Sequence, residues 1–169
     1  MEKKIIVKPS FVFKDYFKAY LYLQSRKTSF IIVSIAISII IILNLINFYL
    51  NDISAEEIFS SSFIFILFFP ILIIFSVYRY TKKILSNPKL EENITIHFNK
   101  DYIEDVGESF NMKYYWKDLK KITEKSDWFL IYVEKNFAKI IRKADLKENQ
   151  YNELKELFNS IDIKKSLKN

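Results

Sequence analysis

The chain has no cysteine and only one glycine, Gly107. Without cysteine there is no disulfide, no thiolate metal site and no cysteine nucleophile. The Walker A loop, the dinucleotide-binding fingerprint and the nucleophile elbow each need two or more glycines, so a single glycine excludes all three. These two shortages remove many enzyme classes that are defined by a motif.

Charge is also missing over two long stretches, residues 28–51 and 58–78. A helix of about 20 apolar residues crosses the hydrocarbon of a bilayer, and only a helix satisfies the backbone of such a segment in lipid. We therefore predict two transmembrane helices, residues 30–50 and 58–78. They form a hairpin around a short external loop, residues 51–57.

Basic residues are concentrated on one side of this hairpin. Residues 1–29 carry a net charge of +5, the loop 51–57 carries −3 and residues 79–169 carry +4. Basic residues near the ends of a span mark the cytoplasmic side. The sequence therefore predicts a multi-pass protein of the cell (plasma) membrane with both termini in the cytoplasm.

The predicted membrane part offers two groups of candidate interaction residues. Arg79, Lys82 and Lys83 follow the second span and would attract anionic lipid headgroups of the inner leaflet by about 1 kcal/mol per charge, although so small a cluster is more typical of a topology signal. Asn44 and Asn47 share one helix face. They indicate either an interhelical hydrogen-bond site, with which a homo-oligomer is compatible, or partly hydrated side chains near the interface.

Residues 1–29 form a predicted cytoplasmic lead. The apolar run Ile5–Val7 predicts a short strand, and residues 14–26 have the period of an amphipathic helix. Two interpretations of this helix remain open. It lies on the inner leaflet with its tyrosines at the headgroup level, or it packs on the cytoplasmic domain.

A basic linker, residues 79–90, precedes a predicted cytoplasmic β domain, residues 91–163. Alternating apolar residues predict strands at 94–98, 102–106, 110–116, near 122, at 128–133 and at 137–142. A C-terminal helix follows, with a capping-box pattern of Asp145 and Glu148. Its predicted apolar stripe consists of Tyr151, Leu154, Leu157, Phe158 and Ile161. Residues 164–169 are predicted to be a disordered tail. The fold class is α+β, an antiparallel β domain closed by a helix.

We predict no catalytic, cofactor or metal site in this domain. His97 is the single histidine, and no acidic pair near it has the spacing of metal ligands. Solvated turns explain the acidic residues better than hydrolytic chemistry does; these are Glu91, Glu92, Asp101, Glu104, Asp105 and Glu108. Basic residues are interspersed with acids, so nucleic-acid binding is not expected. Trp116 is predicted to lie in the sheet core and Trp128 to be an exposed anchor for a partner.

The order of these features resembles the YcxB-like family of small bacterial membrane proteins. The residues that carry the resemblance are Phe13–Tyr16, Tyr20–Leu23, Lys83–Pro88, Ile94–Phe98, Tyr115–Leu119 and Ala138–Lys143. The resemblance implies two membrane helices and a compact cytoplasmic domain like the bacterial pleckstrin-homology (PH) arrangement. The chain departs from the family at Arg142, where proline is usual, and at Phe13, where a Ser or Thr helix cap is expected.

Three functions remain open at this point. The first is a non-enzymatic membrane protein whose cytoplasmic domain binds another protein or the leaflet surface. The second is a self-immunity factor against a membrane-active, bacteriocin-type peptide, because such factors are often small, basic and two-span. The third, a membrane enzyme that uses Glu104, Asp105 and His97, has the least support.

Overall fold

The structure is a computed structural model that describes residues 4–51, 63–147 and 149–168. Most of the predicted external loop, the first residues of the predicted second span and Glu148 therefore lie outside the described residues. The chain divides into two units, Met1–Ala19 with Lys82–Asn169 and Tyr20–Thr81.

The strands of the first unit form two four-stranded sheets. Sheet A has the order β1-β2-β3-β4 and is antiparallel throughout. Its strands are β1 (Ile5–Val7), β2 (Thr95–Phe98), β3 (Tyr102–Val106) and β4 (Asn111–Tyr115). The predicted strands in these regions are confirmed to within one residue at most ends.

Sheet B has the order β7-β6-β5-β8. Its strands are β5 (Lys121–Glu124), β6 (Trp128–Glu134), β7 (Phe137–Arg142) and β8 (Lys165–Ser166). The first three are antiparallel, and β8 runs parallel to β5. The α+β class with antiparallel sheets is confirmed, but the tail predicted to be disordered supplies β8.

The helices are α1 (Phe13–Ser25), α2 (Thr28–Asn51), α3 (Phe63–Leu85) and α4 (Gln150–Ser160). Apolar residues of α4 recur at helical spacing, so one face of the helix enters the core. On that face Leu154 and Phe158 are fully buried. The Phe158 ring lies edge-on to the rings of Phe98, Phe129 and Trp116, at centroid distances of 6.2, 5.3 and 6.0 Å. The predicted apolar stripe of the C-terminal helix is confirmed.

The predicted capping box of α4 is wrong. The helix begins at Gln150, and Asn149 precedes it without a side-chain cap. Asp145 instead accepts hydrogen bonds from the backbone N–H (3.1 Å) and Oγ (2.5 Å) of Ser10. At the other end, Lys165 Nζ donates to the carbonyls of Phe158 and Ile161, at 3.0 and 2.8 Å. A lysine from β8 therefore satisfies carbonyls that the helix end leaves unpaired.

Arg142 joins the N-terminal segment to the end of sheet B. Its Nη2 lies 2.6 Å from Asp15 Oδ2, and its Nη1 donates to the Ser10 carbonyl at 3.0 Å and to Asp145 Oδ1 at 3.3 Å. Tyr16 and Ala19 of α1 are buried. The start of α1 thus contacts the β domain, which agrees with the second interpretation of this helix.

Arg142→Lys is expected to loosen this attachment, because a lysine ammonium lacks the planar fork that serves several acceptors at once. Hydrogen bonds to charged groups contribute about 1.5–3 kcal/mol, so the free energy of opening at the Ser10 amide should fall by about that amount. Hydrogen exchange of this amide in the full chain measures the effect. Arg26→Lys is the matched control, and equal exchange in both variants would contradict the prediction.

The second unit consists mainly of helix α2 and most of α3. Among the described residues one helical segment, Thr28–Leu50, is long and apolar enough to cross a membrane, by length and composition only. None of its apolar window is buried. In α3 the described side chains include exposed Phe68, Ile71 and Leu72, and Pro70 lies inside the helix.

Candidate functional site

The outer face of sheet A carries a polar cluster around Glu104. The register places Ile6, His97, Glu104 and Lys113 opposite one another across the four strands. Glu104 is only 7% exposed, although the sequence predicts a solvated turn. Its carboxylate accepts from Asn111 Nδ2 at 3.0 Å.

Three basic side chains surround this carboxylate. Lys113 Nζ lies 3.5 Å and Lys4 Nζ 3.6 Å from its oxygens, and His97 Nδ1 lies 3.7 Å away. The hydrogen bond from Asn111, with the charges of Lys113 and Lys4, lowers the pKa of Glu104. Burial and the Lys4 charge lower the pKa of His97 against the opposing effect of Glu104. The cluster therefore holds two ammonium groups against one carboxylate at neutral pH, and this face is positive.

Asp105 points to the opposite face of sheet A. Successive residues of a strand alternate between faces, and the Asp105 carboxylate forms an ion pair with Lys139 of β7 inside the fold. Burial lowers the pKa of Lys139, and Asp105 opposes this effect. The structure thus places the adjacent carboxylates Glu104 and Asp105 on opposite faces of sheet A.

Two other acids of the predicted acidic group organise the loop around Gly107. Glu92 accepts hydrogen bonds from the backbone N–H (2.8 Å) and the Oγ of Ser109. Glu108 Oε1 accepts from Asn93 Nδ2 at 2.9 Å. A Cβ at Gly107 would clash with the Phe110 ring and lie 2.7 Å from Glu92 Oε2, so the single glycine leaves room for these two side chains.

Glu124 is a buried carboxylate that the sequence analysis missed. It accepts hydrogen bonds from Lys143 Nζ at 2.6 Å, Tyr151 OH at 2.7 Å and the backbone N–H of Lys168 at 2.9 Å. Burial alone would raise its pKa, but these three hydrogen bonds outweigh burial and lower it. The available signal was the alternation in β5, which puts Glu124 on the same face as buried Ile122.

The prediction that Trp128 is an exposed anchor is wrong, since only 8% of this residue is exposed. Its strand β6 is buried on both faces: Phe129 and Ile131 lie on one, and Leu130 and Tyr132 lie on the other. A strand that is buried on both faces has a continuous run of apolar residues in its sequence. The exposure of Trp128 was instead inferred from the charged residue beside it, Asp127. Within the described part of the chain, Trp128 Nε1 has no hydrogen-bond partner.

Trp116 is buried, as predicted, but it lies in a 3-10 turn (Trp116–Asp118) directly after β4. Its Nε1 donates to the Asn99 carbonyl at 2.8 Å. Of the side chains on the same alternation of β4, Tyr114 packs against the core, whereas Met112 is 49% exposed. Met112 and Tyr114 pair with Asp105 and Ile103 on the inner face of sheet A, so Trp116 continues their alternation although the strand ends one residue before it.

The remaining candidate residues lie on the long helices. Asn44 and Asn47 are in α2, and Asn47 is exposed. Arg79 lies over the Phe75 ring at 5.8 Å, while Lys82 and Lys83 are exposed in the last turn of α3. Their interaction roles stay predictions.

Among the described residues, no group of three or more His, Cys, Asp or Glu side chains could hold a metal ion. The surface offers apolar side chains instead. Met112 and Tyr115 of β4 are 49% and 46% exposed, and Phe137 of β7 is 47% exposed. Both strands lie at sheet edges in the strand order. Edge strands present unpaired backbone groups to a partner, and these two edges also carry exposed apolar side chains.

The family model of the YcxB-like protein matches residues 98–158. This range begins at the last residue of β2, takes in β3 to β7 and ends within α4. The resemblance to the YcxB-like family is confirmed by this match. No curated protein and no solved structure matches the chain significantly.

Proposed function

We propose that this chain, whose residues 98–158 match the YcxB-like family, is a non-enzymatic membrane protein that presents its β domain for interaction with another protein. The main support for this proposal is the helical segment Thr28–Leu50. It is long and apolar enough to span a membrane, and none of its most apolar part is buried. A monomeric protein in water rarely exposes so large an apolar surface. Lipid is the environment that accounts for it.

A two-helix hairpin with both termini in the cytoplasm extends this proposal. Exposed apolar side chains on α3, among them Ile74 and Phe75, support a second span. Lys82 and Lys83 in its last turn support a cytoplasmic end, since basic residues stay on that side. The positive ends of the hairpin would also meet anionic headgroups of the inner leaflet.

A PH-like fold for the cytoplasmic domain belongs to the same proposal. Its support is the order of elements: β1 to β4 form one antiparallel sheet, β5 to β7 form the core of a second, and α4 follows and inserts Phe158 between them. Such a fold does not specify a ligand, because one fold hosts many functions. The ligand must be argued from the surface.

Crosslinking from single cysteines tests the function, and the lack of native cysteine makes each probe unique. Asn136→Cys places a probe in the exposed turn between β6 and β7, and Asn44→Cys places one in α2. We expect a cytoplasmic protein to be captured from Asn136→Cys in native membranes. Capture only of a second copy from Asn44→Cys, with nothing at position 136, would instead favour a role inside the membrane.

The same cysteines test the topology. A membrane-impermeant maleimide should label Asn136→Cys only after the cells are opened, whereas Ser54→Cys, in the predicted external loop, should be labelled in intact cells. Labelling of both positions in intact cells would contradict a cytoplasmic domain.

Self-immunity against a membrane-active peptide is the second candidate function. The observation that favours it is the unburied apolar surface along α2, which a membrane-inserted peptide could contact as readily as lipid. Expression in a peptide-sensitive strain should then raise tolerance. Unchanged killing would remove this candidate and leave the first.

A further inference from the structure

We propose that the open edge of β4 binds an acidic, extended segment of a partner protein as an added strand of sheet A. This inference rests on the proposed function, because it names the kind of partner that the β domain presents itself to. Strand addition of this type takes its affinity from backbone hydrogen bonds and its specificity from alternate side chains.

The hydrogen bonds at both ends of the β3–β4 pair establish which backbone groups face outward. Gly107 N–H donates to the Phe110 carbonyl at 2.9 Å, and Trp116 N–H donates to the Asp101 carbonyl at 3.1 Å. Hydrogen-bonded and non-hydrogen-bonded pairs alternate along an antiparallel ladder. In β4 the backbone groups that face β3 are therefore those of Met112 and Tyr114.

The N–H and C=O groups of Asn111, Lys113 and Tyr115 consequently point away from β3. Within the part of the chain that the structure describes, no strand pairs with this edge, but the Tyr115 carbonyl, at the N-cap of the 3-10 turn, accepts the first hydrogen bond of that turn. β4 is also the last strand of sheet A in the strand order. An incoming strand would find the N–H groups of all three residues and the C=O groups of Asn111 and Lys113 on the same edge.

Apolar side chains next to this edge would be covered by the added strand. Met112 ends a cross-strand row that starts with buried Val7 and Ile96, yet Met112 itself is 49% exposed. Phe137, on the same alternation of β7 as Lys139 and Ile141, is 47% exposed. The inner face of the domain thus ends in two exposed apolar side chains, Met112 and Phe137. Their exposure favours apolar side chains on the face of the incoming strand that would cover them.

The other face of the incoming strand would meet positive charge. Lys113 lies in the middle of β4 with its side chain 43% exposed, and Lys4 is 42% exposed beside the same single carboxylate, Glu104. A second copy of β4 paired symmetrically about Lys113, the middle of the edge, would place Lys113 opposite its own equivalent, which like-charge repulsion disfavours. An acidic residue opposite Lys113 is favoured for the same reason, so the occupant alternates acidic and apolar residues.

A short synthetic peptide that alternates valine and glutamate provides the test. Fluorescence anisotropy of the labelled peptide measures its binding to the full chain in detergent micelles. Tyr115 has φ −74°, which proline accepts, and a proline is tolerated where the strand N–H faces outward. Tyr115→Pro therefore removes one outward donor without removing a β3–β4 bond. We expect Tyr115→Pro to bind the peptide about tenfold more weakly than Tyr115→Ala, the matched control that lacks only the ring.

The charge is tested with a second peptide that has lysine in place of glutamate. The wild-type chain should prefer the glutamate peptide by about threefold, and Lys113→Glu should reverse that preference. Three outcomes would each overturn the inference. They are equal peptide affinity of Tyr115→Pro and Tyr115→Ala, binding of neither peptide by the wild-type chain, and self-association of the chain that Tyr115→Pro abolishes. Protein capture at position 136 without peptide binding would refute this site alone, whereas peptide binding without any captured protein would count against the proposed function alone.

Discussion

Phe158→Ala is expected to lower the free energy of unfolding of the β domain by about 3–5 kcal/mol, the usual cost of truncating a buried phenylalanine. Phe158 is fully buried and its ring contacts aromatic rings from both sheets and from the turn after β4. The substitution leaves a cavity where α4 and the two sheets meet. Because small domains are stable by about 5–15 kcal/mol, this is a large fraction of the total.

Urea unfolding of the full chain in detergent, followed by tryptophan fluorescence, measures this loss. Both tryptophans of the chain, Trp116 and Trp128, lie in the β domain, so the signal reports on that domain and not on the apolar helices. Phe137→Ala removes the same side chain from an exposed site and should change the free energy by no more than about 0.5 kcal/mol. Equal unfolding midpoints for the two variants would show that α4 does not stabilise the core.

Local periodicity was sufficient to predict most elements of this domain. The alternation at 137–142 gave the bounds of β7 without error, and the stripe of α4 identified Leu154 and Phe158 as core residues. These features depend on the chain's own period and on burial of one face. They need no knowledge of what lies across the fold.

The errors concern contacts between residues far apart in sequence. Asp145 was assigned to a local capping box, but it binds Ser10, which is 135 residues away. Residues 164–169 were predicted to be disordered because they are polar, yet Lys165 and Lys168 are held by the end of α4 and by Glu124. The hydrogen-bond partner of a polar residue is not specified by the residues next to it in the sequence, so hydrophobic patterning cannot predict that partner.

The candidate surface was predictable only in part. The strand β4 was expected, but its position at an edge follows from pairing order, which the sequence does not state. Trp128 shows the reverse error: its strand was predicted, but burial of both faces of β6 was not. The outer-face cluster around Glu104 depends on the register of three strand pairs, and a shift of one residue would turn each of its side chains to the other face.

Lys143→Met is expected to lower the free energy of unfolding at neutral pH by about 3–5 kcal/mol, because it leaves the buried carboxylate of Glu124 without its cationic partner. Methionine keeps most of the side-chain volume, so the loss reports on charge rather than on packing. Urea unfolding is again the measurement. Lys147→Met, at an exposed lysine, is the control and should fall within about 0.5 kcal/mol of the wild type.

The pH dependence distinguishes this explanation from a packing defect. In the wild type the pKa of Glu124 is lowered, so its contribution is complete above the unfolded value of about 4.3 and is lost as pH falls through the folded value. In Lys143→Met the burial that opposes ionisation is no longer offset by the lysine, which raises the folded pKa of Glu124. Protonation then removes the unpaired buried charge from the variant. The difference in the free energy of unfolding between variant and wild type should therefore narrow as pH falls from neutral towards 4. Adding Glu124→Gln to Lys143→Met should recover much of the lost free energy of unfolding at neutral pH. A difference between Lys143→Met and the wild type that stays constant with pH and is not rescued by Glu124→Gln would mean that Lys143 stabilises the domain by packing alone.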